Sequence, residues 1–232
     1  MNSLEINDRK VNIFSSDAEL IDYVADRQQI LVAINAEKIA NRTPQLKDII
    51  NRNIGYLDGI GPVMAARRRG LHQACKIPGC ELWLKIVERF RHSRSFYLLG
   101  ASPAVIDDVV RRLTADFPGI SIAGYHDGYL TTDAVKQTVI DDIVSKKPDI
   151  VFVAMGSPRQ ELLMDELLAL HPALYMGLGG SFDVYTGRVK RAPKWWLDHN
   201  LEFAYRLIRQ PKRIRRQLNS LRFLWMLITN KL

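Results

Sequence analysis

Several apolar runs in this chain end alike, in a small or polar turn that opens a helix-patterned stretch. The turns are I-N-A-E at Asn35, L-D-G-I-G at Asp58, L-G-A-S-P up to Pro103, M-G-S-P-R-Q-E up to Glu161 and L-G-G-S-F-D up to Asp183. A short apolar run closed by glycine or proline and followed by a 3.6-residue period marks a strand–turn–helix unit. Repetition of that unit predicts an α/β sandwich with a mainly parallel sheet. Strands are expected over Gln29–Asn35, Ile54–Asp58, Ser95–Gly100, Ile120–Gly124, Asp149–Gly156 and Ala173–Leu178. Helices are expected up to Ala40, over Pro44–Arg52, from Val63, and over Leu82–Arg91, Ala104–Asp116, Thr132–Lys146 and Pro158–Leu170.

In open α/β sheets, ligands collect at the carboxyl ends of the strands, where loop amides and helix starts face outward. Asn35, Asp58, Gln160 and Asp183 all fall at such ends, so residues distant in sequence are expected around one cleft. No G-x-G-x-x-G follows the first strand, which removes the dinucleotide fingerprint.

Each candidate has two readings. Asp58 is either a general base toward a substrate hydroxyl, worth about 10²–10⁴ in rate, or a helix cap in an Asp-Gly turn. Asn35 either hydrogen-bonds a sugar or base, or caps the next helix. Gly156 and Gln160 belong to a turn with Pro158 at an expected first helical position. There Gln160 can face a sugar or phosphate, while Arg159 and Glu161 fit a solvated first turn. Gly179 and Gly180 let backbone approach a ligand closely, or simply make a tight turn; nearby Asp183 and Arg191 favour the first.

The positive charge is concentrated at one end. From Arg188 to Leu232 there are 12 Lys/Arg against 2 Asp/Glu, a net +10, whereas the rest, with 21 basic and 23 acidic residues, is net −2. A near-neutral body with a basic tail points to a localised anionic partner. Arg206, Arg213 and Arg216 would share one helix face and suit a diphosphate clamp, or a solvated basic face, with Pro211 interrupting that helix. Trp195, Trp196 and the apolar residues from Leu218 to Ile228 fit an interfacial helix on anionic lipid, or a terminal helix packed on the core. The apolar residues of the tail are mostly aliphatic and no stacking platform is evident, which argues against a nucleic-acid arm.

The remaining features exclude classes. Cys75 and Cys80 form no CxxC pair and read as reduced thiols. The five histidines lack metal-ligand spacing, and Asp107-Asp108 and Asp141-Asp142 fall on helices as solvated pairs. Neither a metal nor a cofactor is expected. No signal-peptide pattern and no run of about 18 apolar residues is present, so the expected location is the cytoplasm.

Taken together, V-A-I-N-A-E-K, L-D-G-I-G, V-A-M-G-S-P-R-Q-E and Y-M-G-L-G-G-S-F-D-V-Y-T-G-R-V-K-R-A-P-K-W resemble the WecG/TagA/CpsF glycosyltransferase family over nearly the whole chain. Within it, the sequence is most similar to the UDP-N-acetyl-D-mannosaminuronic acid transferases of enterobacterial common antigen synthesis. The resemblance implies a Rossmann-like α/β/α core over residues 1–187 and a basic, helical, membrane-associating appendage over 188–232. It implies an inverting, metal-independent enzyme peripheral to the inner face of the cytoplasmic membrane. The partners it implies are a UDP-sugar donor and a polyprenyl-diphosphate-linked sugar acceptor; nucleic acid is not among them, and a homo-oligomer is compatible. It places the general base at Asp58, polar pocket residues at Asn35, Gln160 and Asp183, the R-A-P motif at Arg191, and Arg206, Arg213 and Arg216 in the appendage. Arg159 stands where the family has lysine, and Phe203 where it has tryptophan. The alternatives are an N-acetylmannosaminyl- or glucosyltransferase on a polyprenyl-diphosphate sugar, and a non-catalytic nucleotide or nucleic-acid binding module.

Overall fold

The computed structural model describes residues 2–199, 202–209, 222–223, 225–227 and 229. In chain order the elements are β1 (Asn2–Ile6), β2 (Arg9–Ile13), α1 (Asp17–Val24), β3 (Ile30–Ile34), α2 (Ala36–Ala40), α3 (Pro44–Arg52), β4 (Ile54–Leu57), α4 (Ile60–Arg68), α5 (Gly79–Phe90) and β5 (Ser95–Gly100). They continue with α6 (Pro103–Asp116), β6 (Ser121–His126), α7 (Asp133–Lys146), β7 (Ile150–Ala154), α8 (Arg159–Leu170), β8 (Leu174–Gly177), α9 (Ser181–Tyr185), α10 (Lys194–Asp198) and α11 (Glu202–Arg209).

Six strands form one parallel sheet in the order β4-β3-β8-β7-β5-β6. All residues of β3, β7 and β8 are buried, as expected of strands covered on both faces. One face is packed by residues of α3, α4, α7 and α8, the other by α1, α5, α6 and α9. Each fully buried aliphatic or aromatic side chain in these two layers contributes roughly 1.5–3 kcal/mol. The sheet is thus a Rossmann-like α/β/α sandwich, as the strand–turn–helix pattern requires.

Local signals set the helix starts. Ser16 accepts from Glu19 N at 3.1 Å while Glu19 reaches back to Ser15 N at 2.7 Å, closing both ends of the α1 cap. Thr132 caps α7 through Val135 N, and Pro44 and Pro103 occupy first helical positions of α3 and α6.

Two features go beyond the strand–turn–helix pattern. The hairpin β1–β2, turned at Asn7 and Asp8 (φ 48° and 61°), precedes the sandwich and lies against β4 and α4. The tail is also partly core: Phe223 (2% exposed), Met226 and Leu227 are buried, while Trp225 is 55% exposed. Leu227 O accepts from Arg68 Nη1 at 2.7 Å, and a methyl at Gly61 would lie 2.6 Å from Phe223 Cε1. The segment therefore seats on α4, one turn beyond Asp58.

Candidate active site

The carboxyl ends of β4, β3, β8 and β7 lie side by side, and the expected site residues of the core sit there. Asp58 follows β4, and its N–H donates to Ile34 O at 2.9 Å, which sets it beside Asn35 at the end of β3. The carboxylate caps the neighbouring helix rather than its own: Gly79 N, the first residue of α5, donates to Asp58 Oδ1 at 2.7 Å, while Gly59 is the N-cap of α4. A charged acceptor at a helix start is stabilised by the unsatisfied amides there. Glycine is required at 79 because an added Cβ would meet Tyr56 Oη at 2.7 Å. Tyr56 is fully buried, and its hydroxyl has no hydrogen-bond partner among the described residues. Burial, then the charges of Asp58 and Cys80, pushes this phenol well above its ordinary range, so it stays neutral.

Asn35 caps α2, its Oδ1 accepting from Lys38 N at 3.0 Å. Among the described residues its Nδ2 has no partner, so the cap leaves a donor at the cleft.

Beside Asn35, at the ends of β3, β8 and β7, lies a buried polar network. Gln160 Oε1 accepts from Gly156 N at 3.1 Å and Gly179 N at 3.0 Å, and its Nε2 donates to Glu161 Oε1 at 2.9 Å. Glu161 Oε1 also pairs with Lys38 Nζ at 2.8 Å. Lys38 is 5% and Glu161 0% exposed, so Glu161 is not the solvated first-turn residue the sequence allowed. Burial alone would raise the Glu161 carboxyl; Lys38, with the bond from Gln160, outweighs it and holds the group below its ordinary value. Gln160 thus joins the loops after β7 and β8 from below. Gly177 lies against its amide, where any Cβ would collide with Nε2.

Above that amide the rim is bare among the described residues. Gly156 (φ 79°) and Gly179 (φ 58°) need the left-handed region, and an added Cβ at Gly156, Gly179 or Gly180 would meet none of the described residues within 4 Å. Asp183, half-buried on α9, has no carboxylate partner among the described residues, while its carbonyl accepts from Val189 N at 3.0 Å. Trp83 of α5 packs edge-on against Phe152 of β7 and Phe182 and Tyr185 of α9. It thereby fixes the helix that aims Asp58 relative to the one that carries Asp183.

Arg191 pairs with Glu81, on the first turn of α5. Partial burial opposes its charge, but Glu81, with a smaller contribution from Glu202 of α11, outweighs that and holds the guanidinium in its charged form. Arg206 lies on α11 with its side chain outside the described set, and Arg213 and Arg216 lie outside the described residues. Exposed Trp195 and Ile208 flank this region. Among the described residues no group of His, Cys, Asp and Glu could hold a metal ion, and no helix is long and apolar enough to cross a membrane. Asp142 corrects a smaller expectation: it is not simply solvated but accepts from Tyr97 Oη at 2.8 Å and pairs with Lys146.

The structure is a Rossmann-like α/β protein with a fixed carboxylate and a glycine loop at the same end of its parallel sheet. The chain belongs to the glycosyl transferase WecG/TagA/CpsF family, whose model matches residues 6–232. It is therefore a glycosyltransferase of polysaccharide biosynthesis, working between a nucleotide-sugar donor and a sugar acceptor. Sequence reasoning did not foresee the buried Lys38–Glu161 pair beneath Gln160; a lysine three residues after a strand-end Asn and a glutamate beside Gln160 were the available signal.

Proposed function

We propose that the protein is an inverting transferase moving N-acetyl-D-mannosaminuronate from its UDP donor onto N-acetylglucosamine-diphosphoundecaprenol. The observation that carries this reading is the Asp58 carboxylate, held by Gly79 N at 2.7 Å beside Asn35, at the same end of the sheet as the glycine loop after β8. Asp58 takes the proton of the acceptor hydroxyl as its oxygen forms a bond to the donor anomeric carbon. The bond from that carbon to the diphosphate breaks on the opposite face, and UDP leaves with the electron pair. Asn35 Nδ2 and the Asp183 carboxylate orient sugar hydroxyls. Backbone amides of the rim and Arg191, joined by Arg206, Arg213 and Arg216 of the tail, offset the growing diphosphate charge. The basic appendage over 188–232, with Trp195 and Trp225 exposed, rests on anionic lipid at the inner face of the cytoplasmic membrane, where a polyprenyl acceptor is found.

The test is a transfer assay with a polyprenyl-diphosphate N-acetylglucosamine acceptor and a panel of UDP-sugars, the lipid products read by mass. A uronate increment supports the reading. An N-acetylmannosamine or glucose increment keeps the mechanism and replaces the donor, and absence of product with every donor rejects this donor–acceptor pair.

A further inference from the structure

We infer that Lys38 and Glu161 are positioning residues of the transfer reaction, acting through the Gln160 amide to hold the glycine rim in its ligand-ready shape. The inference rests on the transferase reading above for its kinetic part, but its geometric part stands on the network alone.

The argument begins with which way the Gln160 amide must face. Its oxygen has two backbone N–H groups before it, Gly156 at 3.1 Å and Gly179 at 3.0 Å. Turned over, the NH₂ would confront both donors and two hydrogen bonds would become repulsions. The opposite end must therefore meet an acceptor, and Glu161 Oε1 at 2.9 Å supplies it. A carboxylate accepts only, so it admits one orientation of the amide, whereas a hydroxyl would admit both. That carboxylate is fully buried and persists as an anion because Lys38 Nζ, also buried, lies 2.8 Å away. Lys38 follows β3, Gln160 and Glu161 follow β7, and β8 runs between them. The pair thus spans the strand whose end carries Gly177, Gly179 and Gly180.

The consequence is local and specific. Gly156 and Gly179 have left-handed backbones and no side chains to pack; the Gln160 oxygen holds the N–H of each, while Ser181 N and Oγ hold Leu178 O on the other side of the Leu178–Gly179 peptide. With the amide loose, the rim samples other conformations and the donor sits less often in its reactive pose. A misplacement of about 1 Å can lower turnover by roughly a hundredfold.

Two double variants separate positioning from simple stability. Lys38→Met with Glu161→Gln removes both charges but keeps an oxygen for Gln160 Nε2. Lys38→Met with Glu161→Met removes the charges and the acceptor. The readouts are Tm, hydrogen exchange of the Gly156 and Gly179 amides, and kcat against KM for the UDP-sugar. The Met/Gln pair should keep exchange protection and turnover within about threefold of the parent. The Met/Met pair, at similar Tm, should exchange both amides at least about tenfold faster and lose roughly ten- to a hundredfold in kcat. Parent-like exchange and turnover in the Met/Met pair would overturn the inference, as would equal losses in both pairs. If Met/Met does not fold, Gln160→Met replaces it with the same expected exchange and kcat. Amide exchange needs no substrate, so a parent protein inactive with every donor rejects the reading of function without touching the brace. A fully active Met/Met protein rejects the brace alone.

Discussion

Gly79 N donates to Asp58 Oδ1 at 2.7 Å, so the carboxylate at the end of β4 is aimed by the first residue of α5. Asp58→Asn keeps an oxygen for Gly79 and should leave Tm within a few degrees of the parent. Turnover should fall by about 10²–10⁴ if the lost carboxylate is the base. Near-parent kcat would remove Asp58 from that role.

Tyr56 and Gly79 form a steric couple. Gly79→Ala places a methyl 2.7 Å from the buried Tyr56 Oη, and overpacking of this kind costs about 1–3 kcal/mol. Tyr56→Phe removes a hydroxyl without a partner among the described residues and should be neutral or stabilising. In the double variant, Tyr56→Phe should recover much of the stability lost through Gly79→Ala; additive effects in urea unfolding would contradict the couple.

Breaking the buried pair from one side should be severe. Lys38→Met leaves Glu161 charged and buried, at a cost of about 3–5 kcal/mol. The pH dependence follows from the direction of the Glu161 shift. Its folded pKa lies below the ordinary 4.5, so its contribution is fully present above the unfolded value and is lost as pH falls through the folded one. Glu161→Gln should flatten that acid limb of a stability–pH curve; an unchanged limb would show that Glu161 does not contribute to it.

The tail divides into two kinds of residue. Phe223→Ala should cost about 3–5 kcal/mol, since the ring is buried on α4. Trp225→Ala should destabilise the fold far less than Phe223→Ala, since the ring is 55% exposed, and should weaken binding to anionic vesicles. A loss as large as that of Phe223→Ala would place that ring in the core instead.

Much of the sandwich is legible in the sequence because its strands are continuous apolar runs closed by glycine or proline. Ser95–Gly100 is both the expected and the observed strand. The hairpin β1–β2 and α1 escaped the reading although R-K-V-N-I alternates, Asn7-Asp8 suits a two-residue turn and S-S-D-A-E carries a capping box. Five-residue strands with polar outer faces give only a weak signal. At the site, Asn35, Asp58 and the glycines are readable because strand ends announce themselves. Lys38 and Glu161 are not, because charged residues on a first helical turn normally face water. Their burial arises only when β8 enters between β3 and β7 and draws two distant loops together.

That late entry governs how the chain can assemble. β8 is the last strand in sequence and yet third in the sheet, so before it arrives the ladder exists as two blocks, β4–β3 and β7–β5–β6. No backbone ladder joins them until Leu174–Gly177 is in place, and each block meanwhile carries an uncapped edge of apolar strand. Until then the two blocks are joined by helix packing, α8 against α3 and β3. The strand that completes the sheet carries the glycine loop on its end, so sheet closure and the placing of that loop beside Asn35 are one and the same step.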